Sequence, residues 1–410
     1  MTAKTYFYDS IPVVYDIAEE EKKTILSKFP AALLPNEQTT FRLDEAEKGQ
    51  HIRTTLLVSD YEVKQTKTNK RFLKISFQNQ SGNIPAKMWD NNDAVATSVP
   101  LLEKHAVFQI DGQVDEFNGY KSVTVRALTP HTENIDPFQL LAFTKQNMDE
   151  LTLELFSYIH DLQEPFKSIS LHAMDAMWES FRLSPAAKGH HHNYLGGLLK
   201  HTIGLMRFCR YIVKLEENPF QAVIKLIHQV EKQYKQEIWH DLKQDTDVGT
   251  RFVWKDTIDH LYSMLHGMSA YKLEQINYDA LMTSILFHDI GKLLEYDYAS
   301  KSLDTFTYLY PTAYFEEEQR KQAGISMDPL GVMVGHIPYG VLLLNKVIES
   351  NNVSISMESI HLMTHCILCH HGLPEWGSAV KKPLNIEGYI IHIVDFLDSR
   401  YENTEKDSEK

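Results

Sequence analysis

The 410-residue sequence predicts a multidomain α+β protein in which a small five-stranded β-barrel precedes an all-α domain. Apolar residues alternate with polar ones between about residues 51 and 130, as in strands with one buried face. From about residue 137 onward they recur every three or four positions, as on helices that cover a core. Shares of 43% hydrophobic and 23% charged residues are ordinary for a folded chain, which excludes a mostly disordered, collagen-like or coiled-coil protein.

Five segments of the first region are predicted to be strands, at about 51–63, 71–80, 84–90, 106–114 and 120–128. Turn residues separate them, among them the hairpin dipeptide Asn118-Gly119. A short helical stretch at 95–105 lies between the third and fourth strands, and this order is that of an OB-fold barrel. A small barrel that serves only in dimerisation or docking is the alternative interpretation.

The barrel segment is slightly basic, with ten Lys+Arg against eight Asp+Glu, although the whole chain carries a net charge of −14. The acidic total argues against a protein that coats duplex nucleic acid. Basic residues gather at the first hairpin and aromatics at the last, a combination that binds single strands through phosphate contact and base stacking. A solvated hairpin would look the same. The candidate substrate contacts are Lys67, Lys70, Arg71, Phe117 and Tyr120.

Helices are predicted over most of the remaining chain, with a short one near 16–28 ahead of the barrel. The predicted helical segments are 138–160, 168–183, 194–214, 220–240, 252–268, 278–289, 339–349, 357–370 and 386–401. Of the 20 histidines, 15 lie between His190 and His392. Since neutral imidazole is the commonest transition-metal ligand, this clustering points to a metal site.

Five motifs of the helical region carry histidine or aspartate, and in the first of them helical spacing places His201 on the face of Leu198 and Leu205, toward the core. They are HHHNYLGGLLKHT (190–202), SILFHDIGK (284–292), GHIPYG (335–340), THCILCHHG (364–372) and HIVDFLDSR (392–400). Each residue alone could be a hydrogen-bonded core residue. Together they are costly to bury unless something satisfies them, and a shared divalent cation would do so. Mixed imidazole and carboxylate ligands favour Mn²⁺, Fe²⁺, Co²⁺, Ni²⁺ or Zn²⁺ over Ca²⁺.

Three cysteines, Cys209, Cys366 and Cys369, are too few to cross-link this chain, which predicts a reducing, cytoplasmic compartment. The spacing of the last two resembles half of a zinc site, but two small apolar residues on the helix that carries His370 are the favoured interpretation. Since we find no apolar run long enough to span a bilayer and no secretory signal pattern, no membrane partner is expected.

The order of the motifs resembles that of the HD phosphohydrolase superfamily, whose pattern His…His-Asp…Asp matches His201, His288-Asp289 and Asp395. The two-metal branch of that superfamily adds a histidine and a His-His pair, which match His336 and His370-His371. Together with RFLKISFQNQSGNIPAKMWD in the barrel, the motifs are similar to the YhaM-type 3′→5′ exoribonucleases, which also carry an OB barrel before an HD domain.

This resemblance implies two divalent transition-metal ions per chain, with Mn²⁺ the first choice and Co²⁺, Fe²⁺, Ni²⁺ or Zn²⁺ the alternatives. The first ion would be held by His201, His288, Asp289 and Asp395. The second would be held by His336, His370 and His371, with Asp289 bridging the two ions.

The resemblance and the motifs also supply the remaining candidate residues. Asp289 and Lys292 are the candidate catalytic residues, with Lys292 as a ligand of a phosphate oxygen or, alternatively, a solvated lysine. Candidates for substrate contact, for support of the ligands or for simple loop packing are His191, His192 and Asn193. Candidates for support of the ligands are His365, His392 and Asp398.

The predicted domains are an N-terminal extension (1–50), the OB domain (51–131), a helical connector (132–170), the HD domain (171–401) and a charged tail (402–410). Compared with the family pattern, about 216–271 and 296–329 are predicted to be insertions, the first a helical pair.

The implied function is a metal-dependent 3′→5′ exonuclease that hydrolyses single-stranded RNA, with single-stranded DNA as a further candidate, to nucleoside 5′-monophosphates through a metal-activated water. One alternative is a phosphodiesterase of cyclic nucleotides or dinucleotides, or a nucleotide phosphohydrolase. A second alternative is a non-catalytic nucleic-acid-binding accessory factor of a mobile element. A homo-oligomer is left open.

Overall fold

The computed structural model describes residues 4–117, 119–131, 135–188, 192–243, 253–314, 323–376 and 379–401. The strands are β1 (Thr5–Tyr6), β2 (Ile11–Pro12), β3 (His51–Gln65), β4 (Arg71–Asn79), β5 (Gly82–Trp89), β6 (Val107–Phe117), β7 (Tyr120–Pro130), β8 (Tyr296–Asp297) and β9 (Ser326–Met327). The α-helices are α1 (Glu19–Lys28), α2 (Ala94–Lys104), α3 (Met148–His160), α4 (Phe166–Phe181), α5 (Gly197–Arg210), α6 (Pro219–Lys243), α7 (Val253–Met268), α8 (Tyr278–His288), α9 (Lys292–Glu295), α10 (Asp304–Leu309), α11 (His336–Ser350), α12 (Met357–Cys369) and α13 (Ile386–Tyr401).

Strands β3 to β7 close into a barrel in the order β3-β4-β5-β7-β6. The long strand β3 pairs with β6 through its first half and with β4 through its second half. A short parallel pairing of β5 with β7 completes the barrel, and α2 lies between β5 and β6 in the chain. This is the strand order of an OB fold, so the predicted five-stranded barrel is confirmed. Asn118 of the predicted hairpin lies outside the described residues.

The second region is mostly helical, as predicted, but some local predictions are wrong. Instead of one helix over 138–160, a 3₁₀ turn at Pro137–Leu140 is followed by extended chain, and α3 begins at Met148. The side chain of Asn147 caps α3 by accepting the backbone N–H groups of Asp149 and Glu150. The expectation of an entirely α-helical region is also incomplete, because β8 and β9 pair with each other.

The chain ahead of the barrel divides between the two regions. Tyr6, Ile11 and Ile25 belong to the apolar core of the helices. Leu43 and Ala46 belong to the core of the barrel. The N-terminal residues are therefore structural parts of both regions, and β1 reaches the helices that carry the histidine motifs.

A third apolar cluster joins the two regions at the predicted second insertion. Tyr298 and Ile325 of that segment pack with Leu57 and Val107 of the barrel. The side chain of Gln78 accepts the backbone N–H of Ile325 at 2.7 Å. The described residues next to β8 and β9 thus join the barrel to the helical region.

The first predicted insertion contains the two helices expected there, α6 and α7, which pack against each other. Helix α7 also packs against α13, which carries the last histidine and aspartate motif. Among the described helices, none has the length and apolar character that crossing a bilayer requires.

Candidate metal centre

Seven residues named as candidate metal ligands come together from five helices or helix ends. His201 lies within α5 and Asp395 within α13. The other five lie where a helix begins or ends: His288, Asp289, His336, His370 and His371. We refer to these seven residues as the His/Asp cluster.

Asp289 lies at the centre of the His/Asp cluster, with its two carboxylate oxygens facing different histidines. Oδ2 lies 3.4 Å from Nε2 of both His201 and His288. Oδ1 lies 3.6 Å from Nε2 of His336 and 3.7 Å from Nε2 of His370. One buried carboxylate therefore separates two groups of imidazoles.

Each of the two groups is compact enough to hold a cation. The first contains His201, His288 and Asp395, with 3.2 Å between Nε2 of His201 and Oδ1 of Asp395. The second contains Asp289, His336, His370 and His371. Within each group the possible ligand atoms lie within 4.8 Å of one another.

Hydrogen bonds on the far side of four rings turn their Nε2 atoms toward the cluster. Nδ1 of His288 lies 2.6 Å from the carbonyl oxygen of Ile285, and Nδ1 of His370 lies 2.7 Å from that of Ile367. Since a carbonyl only accepts, Nδ1 of each ring carries the proton and a neutral ring offers Nε2 as a lone pair.

The other two rings use carboxylates in the same way. Nδ1 of His201 lies 2.6 Å from Asp398, and Nδ1 of His336 lies 2.7 Å from Glu295. A carboxylate that holds the outer nitrogen of an imidazole fixes its orientation and increases its basicity as a metal ligand.

Three atoms at the centre of the cluster are buried and have no hydrogen-bond partner among the described residues: Oδ1 of Asp289 and the Nε2 atoms of His336 and His370. Each such atom costs about 1–3 kcal/mol when left unsatisfied. All three carry lone pairs, and Oδ1 of Asp289 lies 3.6 Å and 3.7 Å from the two Nε2 atoms, so a cation satisfies them together where a hydrogen bond between them could not. The residues present therefore fit a divalent metal.

The electrostatics of the cluster keep its carboxylates charged and the rings of His370 and His371 neutral, whereas the neighbouring carboxylates outweigh burial and raise the pKa of His201. Burial opposes charge on Asp289, but Lys292 and the neighbouring histidines outweigh burial and hold its pKa well below the ordinary value. Burial and the proximity of His336 lower the pKa of His371 to about 4. Charged carboxylates and neutral imidazoles are the forms that bind metal.

Two of the three residues predicted to support the ligands contact them. Asp398 accepts hydrogen bonds from Nδ1 of His201 and, at 2.9 Å, from Nε2 of His192. Nδ1 of His392 donates to the backbone carbonyl of His370 at 2.6 Å. The prediction for His365 is wrong, because its Nε2 accepts the backbone N–H of Leu384 at 3.0 Å and its ring lies beside Gly388, outside the cluster.

The three candidate residues that precede His201 in the sequence have different surroundings in the structure. His192 is buried against Asp398, so of its predicted roles the support of a ligand fits and contact with substrate does not. Asn193 is half-buried, and its Oδ1 has no hydrogen-bond partner among the described residues. His191 lies outside the described residues.

Lys292 lies one turn beyond Asp289 and donates to Oδ2 of that carboxylate. It is buried, and the charge of Asp289 raises its pKa against the effect of burial. The alternative of a solvated lysine is therefore wrong. Contact with a phosphate oxygen stays a prediction.

The barrel places the remaining candidates on its surface. Lys70 lies 4.9 Å above the ring centroid of Trp89, which also contacts Phe72 at 5.4 Å. Phe117 and Tyr120 are 76% and 81% exposed at the end of the β6–β7 pair. Lys67 and Arg71 are exposed beside the β3–β4 turn, with 3.9 Å between Arg71 and Asp90.

Sequence reasoning missed three residues that contact the cluster or its supports. Glu295 holds His336, Tyr6 donates to Asp398, and His260 of α7 lies 2.7 Å from Nε2 of His392. Glu295 follows Lys292 by one turn, so its position could have suggested a role. Tyr6 and His260 gave no local signal, because their partners lie 392 and 132 positions away.

The cysteines take no part in the site. All three are buried and unpaired, and burial raises the pKa of Cys369 to about 12, which keeps it a thiol. Within the described chain, no cysteine joins a group that could hold a metal. This supports the interpretation of Cys366 and Cys369 as small apolar residues.

A buried cluster of imidazoles and carboxylates around one central aspartate is typical of metal-dependent hydrolases. In this chain the cluster is joined to an OB-like barrel. Comparison with known proteins shows which hydrolases this chain is similar to in sequence. The chain is 22% identical over 362 residues to the 3′-5′ exoribonuclease YhaM of Listeria innocua, covering 87% of this chain and 88% of the relative. Identity to the YhaM of Oceanobacillus iheyensis is 24% over 86% of this chain and 85% of the relative. For the YhaM of Bacillus pumilus the values are 23%, 86% and 86%. The resemblance seen in the motifs is confirmed: over most of its length this chain is similar to proteins named 3′-5′ exoribonuclease YhaM.

Other comparisons add less. No protein-family profile matches the chain. An OB-fold domain of replication protein A from Methanococcus maripaludis covers 24% of this chain and 99% of its own at 10% identity and a TM-score of 0.19. A replication protein A heterotrimer bound to ssDNA covers 27% of this chain and 75% of its own at 18% identity and a TM-score of 0.16. These scores are too low to carry an argument, so the OB assignment rests on the strand order.

Proposed function

We propose that this protein is a metal-dependent 3′→5′ exonuclease that hydrolyses single-stranded RNA, and single-stranded DNA as a further substrate, to nucleoside 5′-monophosphates. The observation that carries the proposal is the position of Asp289 between two groups of Nε2 lone pairs. Similarity to proteins named 3′-5′ exoribonuclease over most of the chain supports it. In this proposal the helical region from 171 to 401 is an HD-type domain and 51–131 is the strand-binding domain.

The first metal would be held by His201, His288, Asp289 and Asp395. The second would be held by His336, His370 and His371, with Asp289 shared between the two. Bound divalent ions there would supply a hydroxide nucleophile at neutral pH and stabilise the charge on the attacked phosphate. Mn²⁺ is our first choice, since imidazole and carboxylate ligands together suit it, with Co²⁺, Fe²⁺, Ni²⁺ and Zn²⁺ as alternatives.

The protein's own residues have separate tasks in this proposal. Asp398 and Glu295 hold the Nδ1–H groups of His201 and His336, which keeps the Nε2 lone pairs pointed inward. Lys292 is buried beside Asp289, where its ammonium would bind a phosphate oxygen of the scissile nucleotide. The barrel would capture the strand through Lys67, Lys70 and Arg71 and stack bases on Phe117 and Tyr120.

The small-substrate alternative fits the structure less well. A phosphodiesterase of cyclic nucleotides needs no strand-binding barrel, and the relatives described above are named exoribonucleases. The non-catalytic alternative is disfavoured for the same reason. The buried, unpaired cysteines fit the cytoplasm, where we propose that the protein acts; association into oligomers stays a prediction.

The test combines metal dependence with a substitution at the centre of the cluster. Single-stranded RNA is incubated with chelator-treated protein and Mn²⁺, and products are separated by chromatography. We expect nucleoside 5′-monophosphates from the natural sequence and a loss of more than about 100-fold for Asp289→Asn, which removes one charge without changing shape.

Asp279→Asn is the matched control, because Asp279 lies in the first turn of the same helix, α8, outside the His/Asp cluster. It should retain full activity. Undiminished hydrolysis by Asp289→Asn, or equal hydrolysis in the presence of chelator alone, would contradict the proposed metal centre.

A further inference from the structure

The N-terminal strand pair contains a turn that holds three consecutive residues in an unusual backbone conformation. Phe7, Tyr8 and Asp9 have φ values of 51°, 53° and 58°. Residues other than glycine adopt this left-handed region at a cost, and they persist there only where surrounding contacts require it. Val13 donates its backbone N–H to the carbonyl of Lys4 at 2.9 Å, which closes the pair. The turn fixes the direction in which the side chain of Tyr6 projects from β1.

Tyr6 is 3% exposed, and its hydroxyl donates to Oδ1 of Asp398. The other oxygen of that carboxylate, Oδ2, accepts from Nδ1 of His201 and from Nε2 of His192. The Tyr6 hydroxyl therefore bonds to the carboxylate oxygen of Asp398 that the two histidines do not contact. Because both oxygens are then hydrogen-bonded, the rotation of the carboxylate is fixed. The Tyr6 ring is held in turn by Phe208, at 5.4 Å between centroids, and by the guanidinium of Arg207, at 4.8 Å.

Helix α5 leaves room for the contact between Tyr6 and Asp398. Gly204 lies one turn after His201, and a β-carbon there would lie 2.0 Å from Oδ1 of Asp398 and 2.7 Å from the Tyr6 hydroxyl. Any larger residue would displace the pair. The helix that carries a proposed metal ligand thus also carries the glycine that makes room for Tyr6 and Asp398.

We propose that Tyr6 is a positioning residue of the metal centre: through Asp398 it holds Nδ1 of His201, and so aims Nε2 of that ring at the first metal. This inference rests on the proposed metal-dependent function. It makes the strand pair at residues 5–12, which lies ahead of the barrel in sequence, part of the support of the catalytic region.

The experiment measures metal affinity directly, without an activity assay. Tyr6→Phe removes only the hydroxyl, and Co²⁺ binding is followed by the visible absorption of the bound ion and by competition with a chelator. Groups that orient a metal ligand contribute about 10–100-fold to affinity, and we expect about tenfold weaker binding of one of two ions together with a changed Co²⁺ spectrum.

Tyr158→Phe is the matched control. Its hydroxyl is also buried and donates to a carboxylate, Glu154, at 2.7 Å, but neither residue belongs to the His/Asp cluster. It should lower thermal stability by a similar amount while leaving the Co²⁺ affinity and spectrum unchanged. A Tyr6→Phe protein that binds Co²⁺ like Tyr158→Phe would overturn the inference.

A double-substitution cycle separates positioning from general stability. In a protein that already carries Asp398→Asn, adding Tyr6→Phe should change the Co²⁺ affinity less than twofold further. Tyr6 acts on His201 only through Asp398, and that connection is already interrupted. Independent, additive losses would contradict the path through Asp398. A natural protein that binds no divalent cation would overturn this inference and the proposed function together. Tight binding with unchanged affinity in Tyr6→Phe would overturn this inference alone.

Discussion

At the scale of single residues, the orientation of four candidate histidine ligands depends on the group that accepts a hydrogen bond from their Nδ1 atoms. For His288 and His370 the acceptor is a carbonyl three residues earlier in the same helix. This contact follows from the helix itself, so the sequence predicts it once the helix end is known. For His201 and His336 the acceptors are Asp398 and Glu295, which lie 197 and 41 positions away. Spacing alone does not reveal such contacts.

Glu295 provides a prediction at this scale. Glu295→Ala removes the acceptor of the His336 Nδ1–H, so the ring can rotate and its Nε2 leaves the second group. We expect the affinity for one metal ion to fall about 10–100-fold, with binding of the other ion little changed. Isothermal titration of the metal-free protein with Mn²⁺ measures both affinities.

Glu349→Ala, an exposed substitution on the same helix as His336, serves as the control and should bind both ions normally. Loss of both ions to the same extent in Glu295→Ala would mean that Glu295 supports the fold rather than one ligand.

At the scale of elements, the motifs predicted helix ends correctly where a glycine or a helix start accompanied the histidines. His336 follows Gly335, and Gly372, with a φ of 81°, closes the turn after His370 and His371. The prediction failed between 141 and 147, where the apolar spacing looked helical. There Phe143 pairs with Leu195 in an isolated bridge, and Thr144 donates its N–H to the Leu195 carbonyl at 2.9 Å. A contact between distant segments replaced the local preference for helix.

The β3–β4 turn of the barrel gives a prediction for this element. Replacing Lys67, Lys70 and Arg71 with glutamine removes three positive charges from the proposed strand-binding surface. Three lost phosphate contacts should reduce the slope of log affinity for single-stranded RNA against log salt by about 2. Fluorescence anisotropy over a range of salt concentrations measures the slope, and hydrolysis of a dinucleotide should be unchanged.

Three lysines of α1, Lys22, Lys23 and Lys28, replaced with glutamine, give the same loss of charge on a different surface and should leave the slope unchanged. An equal slope for both triple variants would show that net charge, rather than this turn, attracts the strand.

At the scale of the whole molecule, the sequence predicted the two regions but not how they join. Alternation and helical spacing are properties of single segments, and they identified the barrel and the helices. The joining contacts involve Gln78 with Ile325 and Leu57 with Tyr298, pairs more than 200 positions apart. These contacts place the barrel on the segment that follows α9, the short helix with Lys292 and Glu295. The His/Asp cluster and the proposed strand-binding surface are therefore parts of one connected structure.

The central claim, that this structure degrades single strands from the 3′ end with bound metal, is tested most directly by the direction of degradation. Single-stranded RNA labelled at its 5′ end is incubated with Mn²⁺ and sampled over time on a denaturing gel, beside the same RNA labelled at its 3′ end. We predict a ladder of steadily shorter 5′-labelled products, and immediate release of a labelled mononucleotide from the 3′-labelled strand. Cuts in the middle of the strand, or intact RNA together with hydrolysis of a cyclic dinucleotide, would contradict the account.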